Sequence, residues 1–344
     1  MPEVRCFQCR MTARAFTRFA WTVLAYHVAV IGWGALVRAT GSGAGCGQHW
    51  PTCNGQVIPR SPAAETMIEF AHRVTSGIAL VLVLALLIWA RRALPRGHRA
   101  RHAAALSLLL IVTEALLGAG LVLFGWVAAD ASAGRGWAMA LHLANTFLLL
   151  AALALTAAWG GSGSEGAVRP RVSSFAGSEG GRNVTRQSSG LSPLLIFGLA
   201  ATVLAGVTGA IAALGDTLYP ATSLATGFRQ ELEGGTSLLL RLRVLHPFAA
   251  GAAGFLLVAG VRRAARNQPA PRLRGAALAV TALVLLELAV GAVNVLLLAP
   301  VWLQVLHLTL ADVVWISVVL VAGWSVEPGR FGRLAEDATV AAPG

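Results

Sequence analysis

Residues 69–90 read EFAHRVTSGIALVLVLALLIWA, in which a glutamate and a histidine stand at the start of a long apolar run. A run of roughly 20 apolar residues is long enough to cross the hydrocarbon core of a bilayer, which is about 30 Å thick. No water reaches the backbone there, so the run must form a helix. An ionisable side chain in such a helix is costly and is by default a functional residue.

Four histidines open apolar runs in this way, as two pairs in the two halves of the chain: His72, His142, His246 and His307. Short patterns recur around them in the same order. The His-to-Gly interval 72–77 returns at 246–251, Leu-His-Leu 141–143 at 306–308, and Glu-x-x-x-Gly 114–118 at 287–291. Chance matches in a chain rich in Leu, Ala and Gly are the alternative. Their common order favours a duplication.

The composition excludes a soluble domain, because 56% of the 344 residues are hydrophobic and only 12% are charged. Eight apolar runs are long enough to span a membrane: 19–39, 67–90, 104–127, 137–159, 192–214, 244–261, 275–298 and 301–324. The first run is too long for a signal peptide and lacks a small-residue cleavage site, so we expect it to be retained.

The net charge of +12 comes from 27 basic residues, all of them arginine. Twenty of them lie in the segments that the predicted spans place on one side of the membrane. The other seven lie in the segments on the opposite side. The positive-inside rule therefore predicts that both termini are cytoplasmic. The basic excess reports topology, so no nucleic-acid partner is expected. All four histidines then lie near the outer ends of spans 2, 4, 6 and 8.

The predicted fold class is an all-α integral membrane protein of eight helices, arranged as two pseudo-symmetric four-helix bundles in parallel repeat. The divisions are a cytoplasmic tail at 1–18, an N-terminal half at 19–159, a Gly/Ser/Arg-rich cytoplasmic linker at 160–190, a C-terminal half at 191–324 and a cytoplasmic tail at 325–344. The long outer loops 40–66 and 215–243 are each predicted to cover one half as a lid.

Two histidines facing each other inside each four-helix half match the bis-imidazole ligation of a haem iron. Zinc normally takes more N, S or O ligands at one site. The alternative for any single histidine is a role in helix packing. The same arrangement in both halves favours haem.

The residue one turn before the first histidine of each pair distinguishes the halves. Glu69 precedes His72 by three positions, whereas Arg243 precedes His246 by three. A carboxylate beside an iron site relays protons or positions water, and an arginine there pairs with a haem propionate. We therefore expect Glu69 to be catalytic, although a glutamate favoured by the helix dipole is the alternative. The candidate propionate contacts are Arg38, Arg73 and Arg243.

Cys46 and Cys53 lie seven residues apart in outer loop 40–66, where a disulfide is permitted and two free thiols are the alternative. Cys6 and Cys9 form a single C-x-x-C, which is a weak metal signal. Met11 as the true start would remove that pair.

Three acids lie inside predicted spans, Glu114, Glu287 and Asp312. They serve either proton or water routing or hydrogen bonding between helices. Four histidines without a paired counterpart are taken as non-ligands: His27, His49, His98 and His102.

Three blocks carry a resemblance to a known family: GALVRATGSGAGC at 34–46, WPTCNG at 50–55 and EFAHR at 69–73. Together with the later histidine spans, they resemble the haem A synthase family over residues 19–324. The family lies in the bacterial cell membrane. The resemblance implies oxygen-dependent conversion of the C8 methyl of haem O to the formyl of haem A. One departure is that some bacterial members carry a second cysteine pair in the outer loop here at 215–243, which has none.

Residue by residue, the resemblance implies that His72 and His142 bind the substrate haem O beside Glu69. His246 and His307 would ligate a haem b cofactor. Cys46 and Cys53 would form a disulfide in the outer loop. Haem O synthase would act upstream and cytochrome c oxidase would receive the product, with an unidentified electron donor.

Two other functions fit the same pattern, a b-type cytochrome that oxidises quinol and a membrane haem carrier, since parallel repeats also occur in transporters. The acid at the ligand face favours an oxidase of the haem methyl, because a carrier has no need of it.

Overall fold

The computed structural model describes residues 2–60, 63–161, 191–232, 238–267 and 271–326. Within these ranges the chain forms α-helices, one short 3-10 turn at Ser42–Ala44, and no strand. The helices are α1 (Pro2–Ala39), α2 (Ala64–Ala93), α3 (Arg99–Leu123), α4 (Ala133–Gly160), α5 (Pro193–Leu218), α6 (Leu224–Leu232), α7 (Leu238–Asn267), α8 (Pro271–Leu296) and α9 (Val301–Ser325).

Eight of these helices, all except α6, are long and apolar enough to cross a membrane. The predicted all-α class and the eight spans are thereby confirmed, and the protein is a multi-pass membrane protein. Large apolar side chains on the bundle surface, such as Phe248 and Phe255, are 73% exposed. Such exposure is expected where lipid rather than water surrounds the helices.

Two boundaries differ from the sequence prediction. Segment 1–18, expected as a cytoplasmic tail, is helical from Pro2 and forms one helix with the first span. No Gly or Pro follows Pro2 before the apolar run, so the helix propagates through the segment without a break. Side chains before Arg14, including those of Cys6 and Cys9, lie outside the described part of the chain.

Outer loop 215–243 also differs, because α5 continues to Leu218 and the short helix α6 follows. Pro220 lies between the two helices, and the Ser223 hydroxyl accepts from the backbone N–H of Thr226 near the start of α6. The sequence leaves the structure of this loop open, because nine residues give too short an apolar pattern to reveal a helix.

The spanning helices pack in two groups. In the first, α1, α2, α3 and α4 pack in sequence and α4 returns to α1; in the second, α5, α7, α8 and α9 do the same. The groups meet where α1 and α4 contact α5 and α9. Linker residues 162–190, between α4 and α5, lie outside the described residues.

One aromatic pair joins the two groups. Trp315 on α9 stacks on Phe147 of α4 with ring centroids 5.0 Å apart, and its indole N–H donates to the backbone carbonyl of Phe147 at 2.6 Å. Phe147 is 1% exposed and Trp315 is 5% exposed. The pair therefore fixes the register of the two groups through burial and one directional hydrogen bond.

Replacing Trp315 by alanine should lower the stability of the whole molecule. Loss of a buried Trp side chain costs about 3–5 kcal/mol, and the thermal unfolding midpoint in detergent should fall. Trp137→Ala is the matched control, since Trp137 is 67% exposed. An equal loss in both variants would contradict the joining role of Trp315.

Candidate functional site

Each of the four paired histidines faces a glycine of the preceding spanning helix. A Cβ added at Gly209 would lie 2.8 Å from the His246 ring, and one at Gly291 would lie 2.9 Å from the His307 ring. The corresponding distances are 3.0 Å from Gly34 to His72 and 4.0 Å from Gly118 to His142. At three of the four positions, the imidazole ring therefore occupies space that a side chain on the glycine would fill.

In three of the four rings, an oxygen atom lies within 3.1 Å of Nδ1. His142 Nδ1 lies 2.8 Å from Oε1 of Glu114, and His307 Nδ1 lies 2.9 Å from Oε1 of Glu287. His246 Nδ1 lies 3.1 Å from the carbonyl oxygen of Ala205. An oxygen beside Nδ1 favours the tautomer with the hydrogen on Nδ1, which leaves the lone pair of Nε2 able to bind a metal.

The second pair has the spacing of two ligands on one metal. The ring centroids of His246 and His307 are 6.2 Å apart. A metal–imidazole bond is about 2.0 Å long, so two rings on opposite sides of one metal have centroids roughly 6 Å apart. Within the described ranges, no three His, Cys, Asp or Glu side chains come together as a metal site.

Glu114 and Glu287 have unequal surroundings. Glu114 also accepts from Asn145 Nδ2 and from the Thr146 hydroxyl. Oε2 of Glu287 is buried without a hydrogen-bond partner among the described residues, and so are both carboxylate oxygens of Asp312. From the sequence, these acids could serve either to route protons or water or to form hydrogen bonds between helices. The contacts of Glu114 and Glu287 are those of groups that orient histidines.

Glu69 and Arg73 hold the cysteine loop on the start of α2. One Glu69 oxygen accepts from the backbone N–H of Cys46 at 2.8 Å, and the other pairs with Arg73. Arg73 also donates to the backbone carbonyls of His49 and Thr52, both at 2.6 Å. Glu69 is 4% exposed, so its carboxylate is buried with its charge compensated.

The loop is closed by a disulfide between Cys46 and Cys53, whose Cα atoms are 4.4 Å apart. Gly45 lets the loop approach α2, because a Cβ there would lie 2.5 Å from the backbone of Glu65. Its carbonyl accepts from the Thr66 hydroxyl at 2.8 Å. Loop 40–66 is thus attached to the helix that carries His72.

Arg38 links the two helix groups near the same end of the molecule. Its guanidinium donates to the carbonyl of Ala213 at 2.7 Å, to Thr217 Oγ1 at 3.0 Å and to Gln304 Oε1 at 2.9 Å. Asp216 interacts electrostatically with Arg38 and pairs with Arg243 at 3.1 Å. Arg38, Asp216 and Arg243 therefore form one charged cluster across the boundary between the groups.

Two residues of this region were missed by the sequence prediction. Gln304 precedes His307 by three positions, the register of Glu69 and Arg243, so the same comparison applied to α9 would have found it. Arg135 is 4% exposed and donates to the carbonyls of Ala128 and Asp130. No pattern in the sequence distinguishes it from a surface arginine.

Fold and site together define a multi-pass membrane protein with two pairs of imidazoles, one pair in each helix group. The family can be named as well. Residues 17–319 match the model of the COX15-CtaA family, described as cytochrome oxidase assembly protein, and the chain belongs to that family.

Individual relatives carry two kinds of name. The chain is 47% identical over 90% of its length to a protohaem IX farnesyltransferase of Thermus thermophilus, of which the match covers 48%. It is 52% identical over 27% of its length to a haem A synthase of Shouchella clausii, covering 31% of that protein. It is 41% identical over 41% of its length to a haem A synthase of Alkalihalophilus pseudofirmus, covering 45%. The chain spans about half the length, or less, of these relatives.

Replacing Arg73 by alanine should loosen the cysteine loop. The variant loses two hydrogen bonds to loop carbonyls and the partner of Glu69, so backbone amides of residues 46–56 should exchange faster by hydrogen–deuterium mass spectrometry. Arg60→Ala is the control, since the Arg60 side chain is exposed. Unchanged exchange in Arg73→Ala would show that other contacts hold the loop.

Proposed function

We propose that the chain is a haem A synthase, which oxidises the C8 methyl of haem O to a formyl group and supplies haem A for cytochrome c oxidase. The observation that carries this proposal is the pairing of four partly buried histidines in a chain of the COX15-CtaA family. Relatives that are named haem A synthase support it.

We propose that His246 and His307 are the ligands of a haem b. The separation of their rings and the oxygen partners of both Nδ1 atoms fit bis-imidazole ligation. Bound there, haem b would supply single-electron transfer between the electron donor and the other half. The protein's part is to hold both rings with Nε2 inward and to keep water away from the pair.

We propose that the N-terminal half binds haem O through His72 and His142. Support comes from the contrast between the halves, because Glu69 stands one turn before His72 and Arg243 stands one turn before His246. Glu69 touches both the loop and Arg73. A carboxylate held between loop and helix is placed to move a proton or orient water when the loop shifts.

Arg38 and Arg243 are the better placed of the three candidate propionate contacts. Both belong to the charged cluster between the halves, where a guanidinium can reach a carboxylate of either haem. Arg73 already donates to two loop carbonyls and to Glu69. Arg38 and Arg243 would hold a haem propionate there through charge-assisted hydrogen bonds.

The membrane orientation follows from the arginine distribution, which supports cytoplasmic termini and haem sites toward the outer face of a bacterial cell membrane. The same orientation would place Cys46 and Cys53 outside the cytoplasm, where a disulfide persists. The two helix groups, with equivalent histidine–glycine contacts, also support a duplicated, pseudo-symmetric origin.

A protohaem IX farnesyltransferase is the proposed upstream partner. The Thermus relatives bear that name, and the stretch similar to this chain covers about half of each. We propose that the rest of those relatives attaches the farnesyl group and that the half similar to this chain oxidises the product. Linking two consecutive enzymes in one chain raises the effective concentration of an apolar intermediate.

The direct test is pigment analysis of the protein purified from a host that makes haem O. The proposal predicts haem b together with haem O or haem A, and haem A formation that depends on the protein. Haem b alone with quinol oxidation would identify a b-type cytochrome. Bound haem that is never oxidised would identify a carrier.

Replacing Glu69 by glutamine should abolish haem A formation while haem content stays near that of the wild type. The amide keeps the shape but carries no proton-accepting charge, and loss of such a group typically costs about 100-fold or more in rate. Glu65→Gln, on the exposed first turn of the same helix, is the control. The Arg73→Ala variant loosens the loop but keeps Glu69, so it distinguishes the effect of loop opening from the effect of losing the carboxylate. Full activity of Glu69→Gln would rule out the catalytic role.

Replacing Gly291 by valine should displace the His307 ring and lower haem b content several-fold. A Cβ at that position already lies 2.9 Å from the ring. Gly251→Val is the matched control in the same half, because no atom lies within 4 Å of a Cβ there. Haem b is measured as the pyridine haemochrome. Equal haem b in both variants would contradict ligation by His307.

A further inference from the structure

His27 is a buried histidine inside a span that the paired pattern leaves without a role, whereas the unpaired His102 in the span of α3 is exposed. It lies in the middle of α1 and is 2% exposed. Its Nδ1 lies 2.7 Å from the backbone carbonyl of Val23. A carbonyl oxygen only accepts, so Nδ1 carries the hydrogen and Nε2 presents a lone pair.

That lone pair has no partner. Nε2 of His27 is buried without a hydrogen-bond partner among the described residues, and Nδ1 of His72 is in the same state. An unsatisfied polar atom in a dry interior costs about 1–3 kcal/mol. Buried water is the usual way in which such groups are satisfied.

The position of His27 relates it to the first histidine pair. His27 precedes Gly34 by seven residues, which is two helical turns on the same face and about 10 Å along the axis. Gly34 contacts His72. His27 therefore lies below the His72 ring, on the side away from the disulfide loop.

Glu114 is the shared neighbour of these groups. It lies against Nδ1 of His142, and its charge interacts with both His27 and His72. Asn145 is the described partner of Glu114 Oε2, which retains capacity for a second hydrogen bond. Two imidazole nitrogens without described partners and one carboxylate oxygen with spare accepting capacity therefore lie on helices of the N-terminal half.

We propose that His27 Nε2 and Glu114 bind water inside the N-terminal half, and that this water supplies protons for oxidation of the substrate. The proposal rests on the function proposed above. Each hydroxylation of the methyl group consumes one O2, two electrons and two protons, converts C–H to C–OH and releases one water. The electrons come through the C-terminal half, and the protons need a path through apolar helices. His27 acts as a positioning residue through the bound water.

Two substitutions separate this role from a structural one. The His27→Asn variant can keep the hydrogen bond to Val23, because its amide group reaches the position of Nδ1. It places no polar atom at the position of Nε2. The His27→Gln variant does the reverse, because its amide group reaches the position of Nε2 and loses the hydrogen bond to Val23. We expect His27→Asn to slow haem A formation by about 10- to 100-fold. His27→Gln should stay within about threefold of wild type with an increased solvent deuterium isotope effect, and haem content should be unchanged in both.

The opposite ranking, with Asn active and Gln inactive, would show that the bond to Val23 is what matters and would overturn the proposal. Equal activity of Asn and wild type would overturn it too. A high-resolution map of the full-length protein gives a readout independent of activity and of how the variants fold. It should contain water within about 3.2 Å of His27 Nε2, and its absence there would contradict the proposal. If the wild type itself forms no haem A, the proposed function fails, and the map then decides the water site alone.

Discussion

The contact between each paired imidazole and a glycine of the preceding helix is the constraint on which the site depends. A side chain at the glycine would occupy the space of the ring at three of the four positions, so the helices can approach only as these residues allow. Oxygen acceptors at Nδ1 of His142, His246 and His307 then set the direction of Nε2. In a bilayer the surrounding lipid offers no hydrogen-bonding groups, so these acceptors come from the protein.

The two halves differ in how completely the acids beside their histidines are hydrogen-bonded. Glu114 is held by Asn145, Thr146 and His142, whereas Glu287 has His307 as its one described partner. Nδ1 of His72 has neither a hydrogen bond nor an ion pair among the described residues, whereas Nδ1 of His142 and of His307 each lie beside a glutamate. A fully satisfied network is rigid, and an unsatisfied one admits water. The N-terminal half combines both features, which suits chemistry that needs protons, while the closely spaced second pair suits electron transfer.

Much of the fold could be predicted because its signals are local. Eight apolar runs predict eight spans, and the spacing of residues around each histidine is given by the sequence itself. The partners of Arg38 could not be predicted, since Ala213, Thr217 and Gln304 lie on helices of the other half. Helix α6 was missed because it is short, and His27 was set aside because pairing was the criterion. Its unpartnered nitrogen is visible only once the helices are packed.

Haem analysis of two ligand variants tests most directly the central claim that each half holds its own haem through its own histidines. His246→Ala should lose haem b and keep haem O or haem A, whereas His142→Ala should lose haem O and haem A and keep haem b. Loss of both haems in equal measure from each variant, or of neither, would contradict separate sites in the two halves.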